Sequence, residues 1–143
     1  MVVKIPRVKE IKDVNHPENV SAIFSAILSN ESEYDREKEH FWMLGLNSKN
    51  HVKIVELISM GSLFTTIVHP REVYRPAIMT GGVAAIIVAH NHPSGNPAPS
   101  DEDIRVTKRL AEAGKILGVE LLDHVVVTAD PANFLSMKSE GYI

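Results

Sequence analysis

Two histidines separated by one residue, His90 and His92, follow directly on the most apolar run of the chain and precede a loop rich in Gly and Pro. The end of a buried strand is where α/β proteins place their sites, and the loops found there carry much of the chemistry. If the chain is still extended at this point, side chains two apart lie on one face, so both imidazoles can reach a single ion at about 2.0–2.1 Å. Asp103, eleven residues after His92 and in the first turn of the next helix, is available as a third ligand. Two neutral imidazoles and one carboxylate leave a tetrahedral zinc with one open position for water. The chain has no cysteine, which removes disulfides, thiolate metal sites and cysteine nucleophiles, so any metal must sit on His, Asp or Glu. Each part also has a plainer explanation. A His-x-His pair can arise by chance, and Ser100-x-x-Asp103 ahead of an apolar helix is accounted for by N-capping and by the preference of acids for helix N-termini. The placement of all three residues after one buried strand favours the metal.

The elements that must hold these residues are readable on both sides of them. The wholly apolar run over residues 83–89 suits a central strand buried on both faces. Ser100 can cap a helix over 101–117, with Val106, Leu110, Ala113 and Leu117 as its apolar stripe and Gly118 as its stop, and a further strand follows over 119–128. Upstream, Val20, Ile23, Phe24, Ile27 and Leu28 repeat at helical spacing behind Pro17, with Asn15 or His16 near the cap. The charged stretch over 29–39 reads as an exposed loop or frayed helix end. Strands are predicted over 39–47 and 51–59, joined by the turn Asn47-Ser48-Lys49-Asn50, with Val52, Ile54, Glu56 and Ile58 on one face, and another over 63–68. Pro70 opens a short helix interrupted by Pro76 and ended by Gly81 and Gly82, and the tail reads as a short helix with a final extended piece. The succession of elements implies an α/β (α+β) fold, a mixed sheet with flanking helices.

At 143 residues with 44% hydrophobic and 23% charged, the chain has the size and composition of one soluble globular domain, divided here into an extension over 1–14 and a domain over 15–143. A formal net charge of -3 gives no global basic field, and no basic run interleaved with aromatics is present, which argues against a nucleic-acid partner. The start of the chain does not read as a signal peptide, and no apolar stretch is long enough to cross a bilayer, so the expectation is a cytoplasmic protein without a membrane partner.

His90-Asn91-His92-Pro93, six further residues, then Ser100-x-x-Asp103 resembles the signature of the JAMM metalloproteases, also called the MPN-plus or JAB group. The wider context, HPREVYRPAI, AHNHPSGNPAPSDED and LLDHVVV, is similar to the RadC-like branch of that group, from about Pro17 to the end of the chain. The resemblance implies a single JAMM/MPN-type domain with a cytidine-deaminase-like arrangement, in which His90, His92 and Asp103 hold Zn2+ and Ser100 supports the oxyanion that forms on a carbonyl under attack. It also implies a general base at the beginning of an early strand, best matched by Glu39, with Glu56 and Glu72 as the alternatives. Branch members commonly carry a helical segment ahead of the metal domain, and this sequence looks like the isolated metal domain. The expected activity is zinc-dependent hydrolysis of a peptide or isopeptide bond, with a peptide or protein as partner. The competing expectations are a noncatalytic interaction module and a metal-assisted DNA-processing accessory, the latter resting on the family's nominal association with DNA repair. Asp123 and His124 match the branch as well, with a hydrogen bond behind the ligands or a strand-end contact as their expected role.

Overall fold

Pro17, whose ring presets a helical φ and whose missing amide costs nothing in a first turn, opens α1 (Pro17–Ser29) behind His16 as N-cap. Its apolar stripe, Val20, Ile23, Phe24, Ile27 and Leu28, is buried against the sheet. The computed structural model describes residues 13–61 and 68–143. The charged stretch after α1 is not a plain loop: Ser32 Oγ accepts from the Asp35 amide at 3.1 Å and caps a single turn, α2 (Glu33–Arg36).

β1 (Glu39–Leu46) and β2 (Val52–Gly61) form the expected antiparallel hairpin. Asn47 Oδ1 closes its turn by accepting from the Lys49 and His51 amides, both at 2.9 Å. The expected face of β2 is corrected at one position. Leu46 pairs with Val52 but Gly45 pairs with Ile54, so one extra residue enters β2 between them and reverses the alternation. Val52 therefore packs with Val55 and Leu57 on the α1 side, while Ile54 and Ile58 pack on the other. The strand expected over 63–68 lies outside the described residues except for Val68, which is buried. The extension expected over 1–14 lies outside them except for its last two residues.

α3 (Pro70–Thr80) continues through Pro76 instead of breaking there, because proline removes one rung of the ladder, the bond to the Glu72 carbonyl, and the remaining turns bridge the gap. β3 (Ala85–Asn91) is buried throughout and pairs antiparallel with β1 and parallel with β4 (Glu120–Val127). The crossover between them is α4 (Asp101–Leu117). Its buried stripe is Val106, Thr107, Leu110 and Gly114, and Leu117, expected in that stripe, ends the helix and is 48% exposed. Gly114 is required by close packing, since a Cβ there would sit 2.5 Å from both the Tyr74 hydroxyl and the Val119 carbonyl. The tail holds no helix; it adds a two-residue strand, β5 (Leu135–Ser136), to β4 and ends in turns.

The result is a mixed five-stranded sheet in the order β2-β1-β3-β4-β5. One apolar layer lies between the sheet and α1, centred on Phe24, Trp42 and Leu44; the other lies between the sheet and α3 and α4, centred on Met43, Val88, Tyr74 and Leu110. The C-terminal ends of β3 and β4 and the N-terminus of α4 meet at the edge of this second layer. No helix among the described residues is long and apolar enough to cross a membrane.

Candidate metal centre

Alternation along β3 sends Ile86 and Val88 into the layer beneath α4, and His90 continues that face. The chain stays extended one step beyond the strand because the His92 amide donates to the Val127 carbonyl at 2.9 Å. His92 consequently lies on the same face, with its Nε2 2.8 Å from Nε2 of His90. Its other nitrogen, Nδ1, faces the Asn96 carbonyl at 2.9 Å and must be the donor there, which leaves Nε2 of a neutral His92 as a lone pair.

Asp103 arrives from α4. Ser100 Oγ accepts from the Asp103 amide at 3.1 Å, and Asp103 Oδ2 accepts from the Ser100 amide at 2.9 Å, a reciprocal capping box. That same Oδ2 is 3.2 Å from Nε2 of both His90 and His92. The capping and metal explanations of Asp103 are thus one arrangement: the cap holds the carboxylate where the histidines converge. Three lone-pair donors form a triangle with sides of 2.8, 3.2 and 3.2 Å. Ligands about 2.0–2.1 Å from a tetrahedral ion stand about 3.3 Å apart, so the triangle is close to the size such an ion demands.

Glu39 is the first residue of β1, and the pairing of Phe41 with His90 carries it past the end of β3 to face the histidines. Its Oε1 is 3.8 Å from His92 Nε2, and Glu39, His90 and His92 offer ligand atoms that all lie within 4.8 Å of one another, a group that could hold a metal ion. Asn91 secures this position. Pointing to the opposite face from its two neighbours, it accepts from the His40 amide at 2.6 Å and donates to the Lys38 carbonyl at 3.0 Å, gripping the backbone on both sides of Glu39. Nothing in the sequence beyond its place between His90 and His92 marks Asn91 for this role. Glu56 and Glu72, the alternative bases, line a separate groove between β2 and α3.

The electrostatics separate the two carboxylates. Burial alone would push Asp103 up, but its hydrogen bonds with His90 and His92 and the charge of His90 outweigh it and hold the carboxyl well below the usual range. Burial likewise pushes Glu39 up, and there the histidine charges only partly offset it, so its carboxyl stays raised. His92 is raised as well: burial opposes its charged form, but Asp103 and the Asn96 carbonyl favour it more. Behind His90, His124 is fully enclosed, and burial followed by the charge of His90 holds it well below the ordinary histidine value. A cavity of about 40 Å³ lies among Glu39, Phe41, His90, Asp103 and His124, with room for a water or two. Ser100 is seen as a cap; its hydroxyl oxygen is turned to the Asp103 amide.

A family model described as RadC-like JAB domain matches residues 14–142. Relatives named only as UPF0758 proteins are similar over most of the chain. That of Methanococcoides burtonii is 52% identical over 107 residues, covering 75% of this chain and 45% of the relative. That of Caldanaerobacter subterraneus is 53% identical over 105 residues, covering 73% and 44%, and that of Desulforudis audaxviator is 50% identical over 105 residues, covering 73% and 44%. The chain thus spans about half the length of the relatives it matches.

Proposed function

This chain belongs to the RadC-like JAB domain family, and on that premise we propose that it is a zinc-dependent hydrolase of amide bonds, acting on a peptide or isopeptide. The observation that carries the reading is the convergence of His90 Nε2, His92 Nε2 and Asp103 Oδ2 beside a half-buried carboxylate, Glu39. The donor set fits zinc: two imidazoles and one carboxylate, with the second-row contacts that fix ligand orientation already made. Two carboxylates are near enough to compete for the role of third ligand. Asp103 is 3.2 Å from both histidines and held ionised, as a ligand must be, whereas Glu39 approaches His92 at 3.8 Å and has the raised carboxyl that suits a proton carrier.

Held by His90, His92 and Asp103, a zinc ion would supply an acidified water and a polarised carbonyl. Glu39 is placed to hold the proton of an attacking water while that water's oxygen bonds to the amide carbon. The carbon–nitrogen bond then breaks, and Glu39 returns the same proton to the departing amine. Ser100, whose oxygen accepts from the Asp103 amide, keeps its own hydroxyl proton to offer the negative oxygen that develops on the carbonyl.

The test is metal content by elemental mass spectrometry together with turnover of peptide and isopeptide substrates. Wild type is expected to hold one zinc per chain and to hydrolyse an amide, His92→Ala to lose both, and Glu39→Gln to keep zinc without turnover. A Glu39→Gln variant that lost zinc would make Glu39 the ligand and overturn the base assignment. Zinc binding without any hydrolysis would favour a noncatalytic interaction module, and phosphodiester cleavage would favour the DNA-processing alternative.

A further inference from the structure

Thr107, one turn beyond Asp103 on α4, is fully buried with its hydroxyl in the interior. That oxygen has three polar neighbours: the Asp103 carbonyl at 2.7 Å, the Met137 sulfur at 3.3 Å and Nδ1 of His124 at 2.6 Å. The Asp103 carbonyl can only accept, and the threonine hydrogen is the only one that can lie between those two oxygens, so the hydroxyl donates there and accepts from Nδ1 of His124. Nδ1 of His124 therefore carries a hydrogen. His124 is 1% exposed and set edge-on to Phe41 at 5.5 Å, surroundings in which a neutral imidazole is the stable form, and its Nε2 is then a lone pair. This lone pair faces Nδ1 of His90 at 2.7 Å, so His90 in turn must donate from Nδ1. What remains to a neutral His90 is a bare Nε2, directed at His92 and Asp103.

We infer that Thr107 and His124 are positioning residues: they fix His90 in the one tautomer that can bind a cation through Nε2. The same chain of hydrogen bonds ends on the backbone of Asp103, so it joins a ligand on β3 to a ligand on α4 through β4. His92 reaches the equivalent state through the Asn96 carbonyl of its own loop. The two ligand histidines are thus set by unlike devices, one local and one spanning three elements, and the spanning one explains why two polar side chains are buried behind the site at all. A ring nitrogen that faces the wrong way costs a metal site one ligand, so this arrangement acts on affinity before any substrate arrives.

The inference rests on the zinc reading for its consequence, but the tautomers themselves exist without metal and can be read there. Histidine nitrogens of the chelator-treated protein, labelled with 15N, are assigned by long-range NMR at mildly alkaline pH in wild type, Thr107→Val and Thr107→Ser. Wild type is expected to show His90 and His124 protonated at Nδ1 and bare at Nε2. Thr107→Val keeps the shape but removes the acceptor, and is expected to turn both rings to the opposite tautomer and to weaken zinc binding, measured by chelator competition, by about 10–100-fold. Thr107→Ser restores the acceptor and is expected to bind within about threefold of wild type. An Nε2 proton on His124 in wild type overturns the inference, as does a Thr107→Val protein with unchanged tautomers and unchanged zinc affinity. Should Thr107→Val fail to fold, the wild-type tautomers and the serine variant still decide. Wild type that binds no zinc yet shows the expected tautomers would sink the metal reading and leave this assignment standing.

Discussion

Asp123 and His124 are neighbours on β4, both polar and both buried, yet they belong to two opposite kinds of cluster. Asp123 points to the α1 side, where its carboxylate accepts from the His124 amide at 2.7 Å, the Ser136 hydroxyl at 2.6 Å and the Lys138 amide at 3.0 Å. Every acceptor there meets a donor, and the result is a staple that holds β5 and the tail to the sheet. On the other face, the groups behind the ligands are equally well paired, but at the front two ring nitrogens and a carboxylate oxygen meet with lone pairs inward. A satisfied cluster is self-sufficient and needs no ligand; a convergence of acceptors is complete only with a shared proton or a cation. The difference separates structure from chemistry where burial and polarity alone do not.

His92→Ala and Asp103→Ala are expected to abolish zinc binding, while the metal-free fold loses only about 1 kcal/mol in Asp103→Ala, the value of a helix cap. Chemical denaturation in chelator alongside zinc titration measures both. A destabilisation of several kcal/mol with zinc retained would place Asp103 in the structural class with Asp123.

Asp123→Ala should give the mirror image. Removing the acceptor strands a buried hydroxyl and two amides, which is expected to cost about 3 kcal/mol and to loosen the tail, with zinc affinity per folded molecule unchanged. Hydrogen exchange at Met137, whose amide donates to the His124 carbonyl at 2.9 Å, reports the loosening locally. If zinc affinity fell in step with stability, the two faces of β4 would be one coupled unit, and the division drawn between them would fail.

Asn91 lies between these cases, since it is a paired residue whose hydrogen bonds hold the backbone on both sides of Glu39. Asn91→Ala removes the grip on the Lys38 carbonyl and the His40 amide, and Glu39 is expected to drift. A misplacement of about 1 Å lowers turnover by up to about 100-fold, with zinc still bound. Equal losses of zinc and turnover would instead mean that Asn91 supports the histidines on either side of it.

How much of this is legible in the sequence follows the same division. The convergence of His90, His92 and Asp103 is legible from spacing because a strand period of two and a helix start fix where their side chains go, and the placement of Glu39 beside them is expected from the resemblance. The helices α1 and α4, the hairpin and the buried strand β3 are found because periodicity is a local property. Features made by partners distant in the chain are not. The extra residue that turns Val52 to the α1 side is a shift of pairing that no side chain announces, and β5 exists only because Val125 and Ser136 meet. Thr107 reads as an ordinary polar residue of a helix and Asn91 as the spacer of a His-x-His pair; their roles appear only when β4 and β1 are laid beside them.

Tyr74 belongs with the satisfied groups as well. It stands in the same layer as the histidines but is fully paired, its hydroxyl donating to the Leu110 carbonyl at 2.8 Å, so it should behave as structure. Burial pushes its phenol from 10.0 up to about 12, which means that the folded chain keeps a proton that the unfolded chain gives up. Above pH 10 the unfolded state binds fewer protons, so stability must fall as pH rises and must be losing this contribution through about 12. Within that window the slope with pH is expected to flatten in Tyr74→Phe, which has no proton to lose. At neutral pH the same variant gives up one buried hydrogen bond, about 1 kcal/mol, with the ring still filling its place against α4. Zinc affinity should not change, because no hydrogen bond of Tyr74 reaches a ligand. A Tyr74→Phe protein with altered zinc binding would show that satisfied groups in this layer are coupled to the site, and the contrast between the two faces would have to be redrawn as one between near and far.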